Sequence, residues 1–318
     1  MQPLVLSLGG INADLQMRLD SLDGFGRGAQ PARDLLRLSG GKGANVAVLA
    51  RRLGCPAWLL GRVGDDAAAG QALAPLRAEG VDLDHVRHAR GEQTGVALLA
   101  VGPDGAKRSV AAPEANFGFG EEDEQAVLRA IDAAPAGAVL AADYEITPRV
   151  ASRAIAAARA RGLPVVLDPS YPKLADRRDF AAVTALTPNE REARALVGAG
   201  EDALLSEIAR SLAEAGARTV CIKLHDGGCL LLCEGRMWKQ HAAPSRAVDS
   251  SGAGDAFSGT VAVALAEGRD MLTAVLMAVA VTELAVGRYG AQPSYPTRAQ
   301  LEERLLVGVR PLTPWAEP

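Results

Sequence analysis

Short runs in which most residues are apolar alternate along this chain with longer Ala- and Leu-rich stretches. Leu4–Leu8, Trp58–Val63, Ala138–Ala142, Val165–Leu167 and Thr219–Leu224 are brief and nearly continuous in hydrophobicity, which predicts strands buried on both faces. Between them, Val46–Leu53, Ala67–Ala78, Arg149–Ala160 and Ala203–Ala215 predict helices. Gly54, Gly80, Gly162 and Gly216 stand where those helices should stop, because glycine takes the left-handed conformation that closes a last turn. Strand–helix alternation of this kind predicts a mostly parallel sheet.

Two segments break the alternation. In Asn12–Leu38, polar and apolar residues mix around Gly24, Gly26 and Gly28; Thr94–Val101 and Lys107–Ala112 flank Pro103-Asp104-Gly105, a strong turn signal. Together they predict a small antiparallel β element, a lid formed from about 12–38 and 94–112, on a core made from the remainder of a single 1–318 domain. No repeat of 20–50 residues interrupts this organisation.

With 318 residues, 48% of them hydrophobic, the chain has ample material for a packed α/β core. Lys and Arg number 34 against 38 Asp and Glu, a net charge of -4, so nothing favours a nucleic acid or an anionic membrane as partner. Small molecules and other protein chains remain. Met1-Gln2-Pro3-Leu4 lacks a basic region leading into a long apolar stretch, and a cytoplasmic location is expected. Cys55, Cys221, Cys229 and Cys233 are too few for a disulfide framework and form no C-x-x-C pair, so free thiols are expected.

Three motifs carry chemistry. Asp249-Ser250-Ser251-Gly252-Ala253-Gly254-Asp255-Ala256-Phe257 precedes the helical run Ser258–Ala266. Glycines before a helix let backbone approach a ligand closely, and the first-turn N–H groups with the helix dipole attract an anion. Asp255 beside that anion site can accept a proton from an attacking hydroxyl. Gly40-Gly41-Lys42-Gly43-Ala44-Asn45 leads into Val46–Leu53 and supplies a cation and an amide suited to a polyhydroxy ligand; it lacks the frame of a P-loop. Thr187-Pro188-Asn189-Glu190-Arg191-Glu192 reads either as a capped helix start or as hard oxygen ligands that hold Mg²⁺ through water.

Taken together and in this order, the motifs resemble those of the ribokinase-like (PfkB-type) carbohydrate kinases. Gly40–Asn45 is similar to that family's N-terminal signature, Asp249–Phe257 to its C-terminal signature, and Asn189–Glu192 to its Asn-x-x-Glu motif. Gly9–Asp14, Thr94–Ala97 and Gly290–Ser294 extend the likeness, which is strongest to the ribokinase branch. The resemblance implies a three-layer α/β/α core with a β lid, and in-line transfer from ATP·Mg²⁺ to a sugar hydroxyl. It implies Asp255 as general base, with Gly252, Ala253 and Gly254 as the anion hole. Asn12, Asp14, Gly41, Lys42, Asn45 and Glu145 would bind the sugar. Asn189, Glu192, Lys223 and Gly228 would contact nucleotide and Mg²⁺, while Asp249, Ser251 and Ser294 would surround an activating K⁺. Ribose is the leading acceptor; another sugar, a sugar acid, a nucleoside, or a catalytically silent sugar sensor are the alternatives. The low aromatic content, 4%, with Phe117 and Phe119 the few near the lid, favours a sugar over a nucleoside, whereas Lys42 and Arg108 can pair with an acid group. An uncovered antiparallel lid also predicts a homodimer.

Two departures from the family pattern stand out. Lys223-Leu224-His225-Asp226-Gly227-Gly228 replaces the usual loop bordering the nucleotide, and Pro113-Glu114-Ala115-Asn116 stands where relatives carry Gly-Ala-Asn. A dinucleotide-dependent oxidoreductase is disfavoured, because no G-x-G-x-x-G follows the first strand and no acidic residue sits about twenty positions on at the end of a second strand. His85 and His88 lack Cys or Glu partners for a metal, His225 and His241 are isolated, and Glu121-Glu122-Asp123-Glu124 reads as the acidic first turn of a helix.

Overall fold

The computed structural model describes residues 2–23, 28–243 and 247–316. The elements follow in chain order as β1 (Val5–Leu8), β2 (Asn12–Arg18), β3 (Asp34–Gly40), α1 (Lys42–Arg52), β4 (Ala57–Gly64), α2 (Ala67–Ala78), β5 (Val86–Ala89), β6 (Gly95–Val101) and β7 (Lys107–Ala112). Then come α3 (Glu121–Ala133), β8 (Val139–Asp143), α4 (Pro148–Ala160), β9 (Val165–Asp168), β10 (Ala185–Leu186), α5 (Glu190–Val197) and α6 (Leu205–Glu214). The chain closes with β11 (Thr219–Lys223), β12 (Cys229–Cys233), β13 (Arg236–Gln240), α7 (Ala253–Ala266), α8 (Met271–Ala285), α9 (Ala291–Ser294), α10 (Arg298–Val307) and β14 (Thr313–Pro314).

The large sheet is 10-stranded, in the order β14-β13-β12-β11-β10-β9-β8-β1-β4-β5. From β5 to β11 all neighbours run parallel, and β12 to β14 continue antiparallel. Alternation along each buried strand sends successive side chains to opposite helical layers. Val5, Val139 and Ala141 join the core beneath α1, α7 and α8; Leu6, Leu8, Leu140 and Ala142 join the core beneath α3, α4 and α6. This is the three-layer α/β/α arrangement, which explains why the strands read as continuous apolar runs.

Gly54, Gly80, Gly162 and Gly216 all take positive φ at the helix ends where they were expected. Two helices, however, begin earlier than hydrophobic periodicity suggests. The first turn of α1 is made by Lys42, Gly43, Ala44 and Asn45, so the glycine motif lies inside the helix and not ahead of it. An added Cβ on Gly43 would stand 2.7 Å from the Gly9 carbonyl carbon, so this turn packs backbone against backbone and offers periodicity only the methyl of Ala44. Ser7 seals the junction by donating its hydroxyl to the Gly43 carbonyl at 2.7 Å. Likewise α7 starts at Ala253, behind Gly252 at φ 71, which places Asp255 in the first turn.

A second sheet, ordered β3-β2-β6-β7, is formed by the two segments that break the alternation. Its outer pairings are antiparallel and its middle pairing, β2 with β6, is parallel. The reason is connectivity: the chain passes through α1, β4, α2 and β5 of the core before it returns to the small sheet. Gly24 and Gly26 lie outside the described residues. No helix among the described residues is long and apolar enough to cross a membrane.

Candidate active site

The C-terminal ends of parallel strands are where an open α/β sheet leaves a crevice. Here a cleft of about 810 Å³ opens between those ends and the inner face of the small sheet. Of the residues expected to bind or react, all line it except Asp249 and Ser294, which lie just behind its wall.

At its centre two helix starts face each other. Asp255, in the first turn of α7, is buried, and both its carboxylate oxygens are engaged from α1. Lys42 Nζ donates to Oδ1 at 2.8 Å, and Asn45 Nδ2 donates to Oδ2 at 2.7 Å. The Asn45 amide is itself oriented by Gln292, whose Nε2 donates to Asn45 Oδ1 at 3.0 Å. Lys42 Nζ also lies 3.3 Å from Asp168 Oδ1, and Asp168 Oδ2 accepts from Lys223 Nζ at 2.8 Å and from Ser258 Oγ at 3.1 Å. Opposite charges thus alternate along Asp255, Lys42, Asp168 and Lys223. Burial pushes the Asp168 carboxyl up, but Lys223 and Lys42 more than offset it and hold the group at about 2. Burial lowers Lys42, and Asp168 and Asp255 outweigh it, so its ammonium is held well above the usual range.

On the anion side, an added Cβ on Gly254 would stand 3.3 Å from Lys223 Nζ, so that ammonium faces the glycine-lined first turn of α7. Helix N–H groups and a cation converge on one point, as an oligophosphate requires. Further along, Asn189 and Glu192 form a reciprocal capping box: Glu192 N donates to Asn189 Oδ1 at 2.8 Å and Asn189 N to Glu192 Oε2 at 2.9 Å. The pair caps α5 and lines the cleft, so the two readings of this motif are compatible. The loop Leu224–Gly228 also lines this end, including His225, whose N–H donates to Glu190 Oε1 at 2.8 Å.

The opposite end is rich in carboxyl groups. Asp14, on the inner face of β2, has Oδ1 buried with no hydrogen-bond partner among the described residues. Burial, reinforced by the Glu145 charge and opposed by Lys107, raises its carboxyl to about 8. Glu145 Oε2 accepts the Lys42 N–H at 3.0 Å, and burial raises this carboxyl despite Lys42 nearby. Asp143, raised by burial and the Glu145 charge, accepts the Glu145 N–H at 2.6 Å. Asn12 is held by Asn116, which brackets the Ile11 backbone: Ile11 N donates to Asn116 Oδ1 at 2.9 Å, and Asn116 Nδ2 donates to Ile11 O at 3.2 Å and to Asn12 Oδ1 at 2.8 Å. Carboxyl groups with unfilled hydrogen-bonding capacity and fixed amides are what a polyhydroxy ligand needs.

Behind the anion side, Asp249 accepts from Gln16 Nε2 at 2.7 Å, Gly290 N at 2.8 Å and Ser251 N at 2.8 Å. These three donors are neutral, and Ser251 Oγ is buried without a hydrogen-bond partner among the described residues. A buried carboxylate with neutral partners, beside an orphaned hydroxyl, fits a monovalent cation bound by oxygen atoms. Ser294, whose Oγ donates to Ala291 O at 2.8 Å, follows Gly290 in the same turn.

Sequence reasoning missed Asp168, Ser258, Asn116's bracketing role and Tyr171. Asp168 carried a signal, since it ends an apolar run at the carboxyl edge of a parallel strand, where sites collect. Tyr171 carried none: it lines the cleft from a loop, in a left-handed conformation with φ 52. Phe119 is buried in the core, whereas Phe117 is 38% exposed. His85 packs on Trp58 with ring centroids 4.7 Å apart, and no cluster of three or more His, Cys, Asp or Glu among the described residues is placed to hold a metal. The four cysteines are free.

Residues 2–298 match the pfkB family of carbohydrate kinases. The chain belongs to that family. The Arabidopsis thaliana ribokinase is 32% identical over 324 residues, covering 96% of this chain and 82% of the relative. The Bacillus subtilis ribokinase is 30% identical over 276 residues, covering 84% of this chain and 87% of that one. Among solved structures, Arabidopsis thaliana ribokinase complexed with ribose and ATP matches with a TM-score of 0.80 at 28% identity, covering 96% of this chain and 99% of its own. The family resemblance and the ribokinase-like fold expected from the motifs are borne out, and membership makes this chain a phosphotransferase with an alcohol group as acceptor.

The raised Asp14 carboxyl has a consequence for stability. Between about pH 4 and pH 8 the folded chain keeps a proton that the unfolded chain releases, so this group's contribution declines as pH rises and is lost once pH passes about 8. Asp14→Asn removes the dependence. Thermal unfolding midpoints measured from about pH 5 to 9 should therefore fall more steeply for the native protein than for the variant; parallel curves would show that Asp14 is not protonated in the fold.

Proposed function

We propose that this protein transfers the γ-phosphoryl group of ATP to a hydroxyl of a pentose unit, with Asp255 as the general base. The observation that carries the reading is the placement of Asp255 between the carboxyl-rich end and the anion-attracting end of one cleft. Its relatives support it: the Arabidopsis thaliana protein was solved with ribose and ATP.

In this reading Asp14, Asn12, Asn45 and Glu145 fix the acceptor's hydroxyls, and a hydroxyl donor supplies the partner that Asp14 Oδ1 lacks. The reacting hydroxyl faces Asp255. As its oxygen bonds to the γ-phosphorus, the bond from that phosphorus to the β,γ-bridging oxygen breaks, ADP leaves, and Asp255 takes the proton. Phosphoryl transfer passes through a loose transition state, so positioning and charge stabilisation supply most of the rate. Gly252, Ala253 and Gly254 receive the transferring group, while Lys223 offers positive charge beside them. Lys42 holds the base in place through the same carboxylate that accepts the proton.

Asn189 and Glu192 would hold Mg²⁺ through water, and the bound ion would neutralise phosphate charge. Asp249, Ser251 and Ser294 would hold K⁺, which would steady the turn carrying the anion site. The loop Leu224–Gly228, with Gly228, would border the nucleotide. Such a reaction belongs in the cytoplasm, where ATP is supplied. The small sheet acts as the lid, excluding water that would otherwise take the phosphoryl group. Leu35, Leu98 and Val110 are exposed on its outer face, and a second copy of this chain covers them in the assembly we propose.

Three measurements test this. ADP release across a panel of sugars, sugar acids and nucleosides should detect turnover on at least one. Asp255→Asn should lower that turnover by about 10²–10⁴-fold while leaving ATP and acceptor binding nearly intact; unchanged turnover removes Asp255 from the chemistry, and silence across the panel points to a sensor. Replacing Na⁺ by K⁺ should raise the rate, and equal rates would leave Asp249 without a cation. Light scattering should give the mass of a dimer; a monomer at working concentration would dismiss the lid interface.

A further inference from the structure

Resting on that reading, we infer that Gln292 is a positioning residue that links the base to the lid: it sets the direction of the Asn45 amide against Asp255 and takes its own direction from Ser39, at the root of the small sheet. One amide group is shared between the two. Gln292 Nε2 donates to Asn45 Oδ1 at 3.0 Å and to Ser39 Oγ at 3.1 Å, which uses both of its hydrogens. Gln292, Asn45 and Ser39 are 4%, 5% and 4% exposed, so a partner that turns away is not replaced by bulk water.

Direction matters because an amide has a donor end and an acceptor end of nearly the same shape. With Gln292 donating to its oxygen, Asn45 presents Nδ2 to Asp255 Oδ2 at 2.7 Å. Reversed, Asn45 would set its oxygen against the carboxylate and its amino group against that of Gln292, two repulsive contacts in a buried site. While Asp255 is ionised it favours the observed direction by itself. Once it has taken the acceptor's proton that preference weakens, because a protonated carboxyl can also donate. Gln292 then keeps Asn45 in place through the transfer.

The two partners of Gln292 belong to different bodies. The backbone of α9 is fixed to the core: Arg52, in the last turn of α1, donates from Nη1 to Gln292 O at 2.7 Å and to Tyr295 O at 2.9 Å, while its Nε donates to Glu79 Oε1, at the end of α2, at 3.0 Å. The Tyr295 hydroxyl donates to Gly252 O at 3.1 Å, so the same short turn also steadies the loop that leads into α7. Ser39, by contrast, lies near the end of β3, where the small sheet runs into α1 through Gly40 and Gly41. Movement of the sheet therefore shifts Ser39 against an amide that the core holds still. When Ser39 withdraws, one N–H of Gln292 loses its partner and the amide loses the restraint on its direction. The base is fully oriented only with the lid in place, which is when water has been excluded.

The experiment is a set of double-mutant cycles. Gln292→Met keeps the length and approximate volume of the side chain but removes both hydrogen bonds, and Ser39→Ala removes the lid's half alone. ADP release, with the panel acceptor that turns over fastest, is measured on the native protein, on these variants, on Asn45→Ala and on the paired combinations. Gln292→Met should lower kcat about tenfold or more with KM for ATP unchanged, and Ser39→Ala should lower it by a smaller factor. Gln292→Met should cost nothing further in Asn45→Ala protein, nor Ser39→Ala in Gln292→Met protein. Native kcat in Gln292→Met, or losses that combine independently, overturn the inference and leave the kinase reading standing. Ser39 and Asn45 share no hydrogen bond among the described residues, so their own cycle decides if Gln292→Met fails to fold: coupled losses uphold the relay, and independent losses overturn it. If the native protein turns over no acceptor, the kinase reading falls and NMR decides, on protein with isotope-labelled asparagine whose Asn45 side-chain resonance is assigned by its loss in Asn45→Ala. Ser39→Ala should move that resonance, and should cease to do so once Gln292→Met is present. A resonance indifferent to Ser39→Ala, or moved equally in the Gln292→Met background, overturns the relay.

Discussion

One ammonium ion ties the site together. Lys42 reaches from the first turn of α1 to the carboxylate that opens α7 and to the carboxylate that ends β9. Separated from it, Asp255 and Asp168 would be two buried like charges near Asp143 and Glu145, at a cost that burial makes large. With Lys223 completing the alternation, the cluster holds the Asp255 carboxylate, two ammonium groups and the helix start of α7 at fixed separations. Buried ion pairs contribute little net stability, because desolvation offsets the attraction; what they contribute here is geometry.

The small sheet belongs to the same arrangement. Gln16 on β2 bonds the buried Asp249 carboxylate, and Ser250 donates both its N–H, at 3.1 Å, and its hydroxyl, at 3.0 Å, to the Gly105 carbonyl at the tip of the β6–β7 hairpin. Gln71 of α2 anchors the other end by donating to the carbonyls of Asp14 and Leu38. The sheet that carries Asn12 and Asp14 is thus pinned at its base to the core and at its far edge to the loop that leads into α7. Acceptor recognition and the anion site share one mechanical frame.

Much of this was legible in the chain itself. Continuous apolar runs announced a sheet covered on both faces, and helix-ending glycines fell where left-handed residues were needed. The motifs at Gly40–Asn45 and Asp249–Phe257 lead to two helix starts that meet in space. What escaped was of two kinds. The first turn of α1 is packed through backbone at Gly43, and that of α7 is built from Ala253, Gly254, Asp255 and Ala256, so neither offers the large apolar side chains that hydrophobic periodicity registers. Asp168, Ser258, Asn116 and Tyr171 come together through long-range proximity, from a strand end, a helix interior and two loops; apart from Asp168, which ends an apolar strand, no local pattern distinguishes them from ordinary buried polar or loop residues.

The closeness of Gly43 to Gly9 has a further implication. Beneath the first turn of α1 main chain is pressed on main chain, where even one methyl group would displace a helix. The lid, by contrast, presents small side chains to the cleft at Ala97 and Ala111. Change in shape is therefore unevenly accommodated: the seam beneath the Lys42–Asn45 turn is set by its own backbone, and latitude lies at lid positions whose side chains are small.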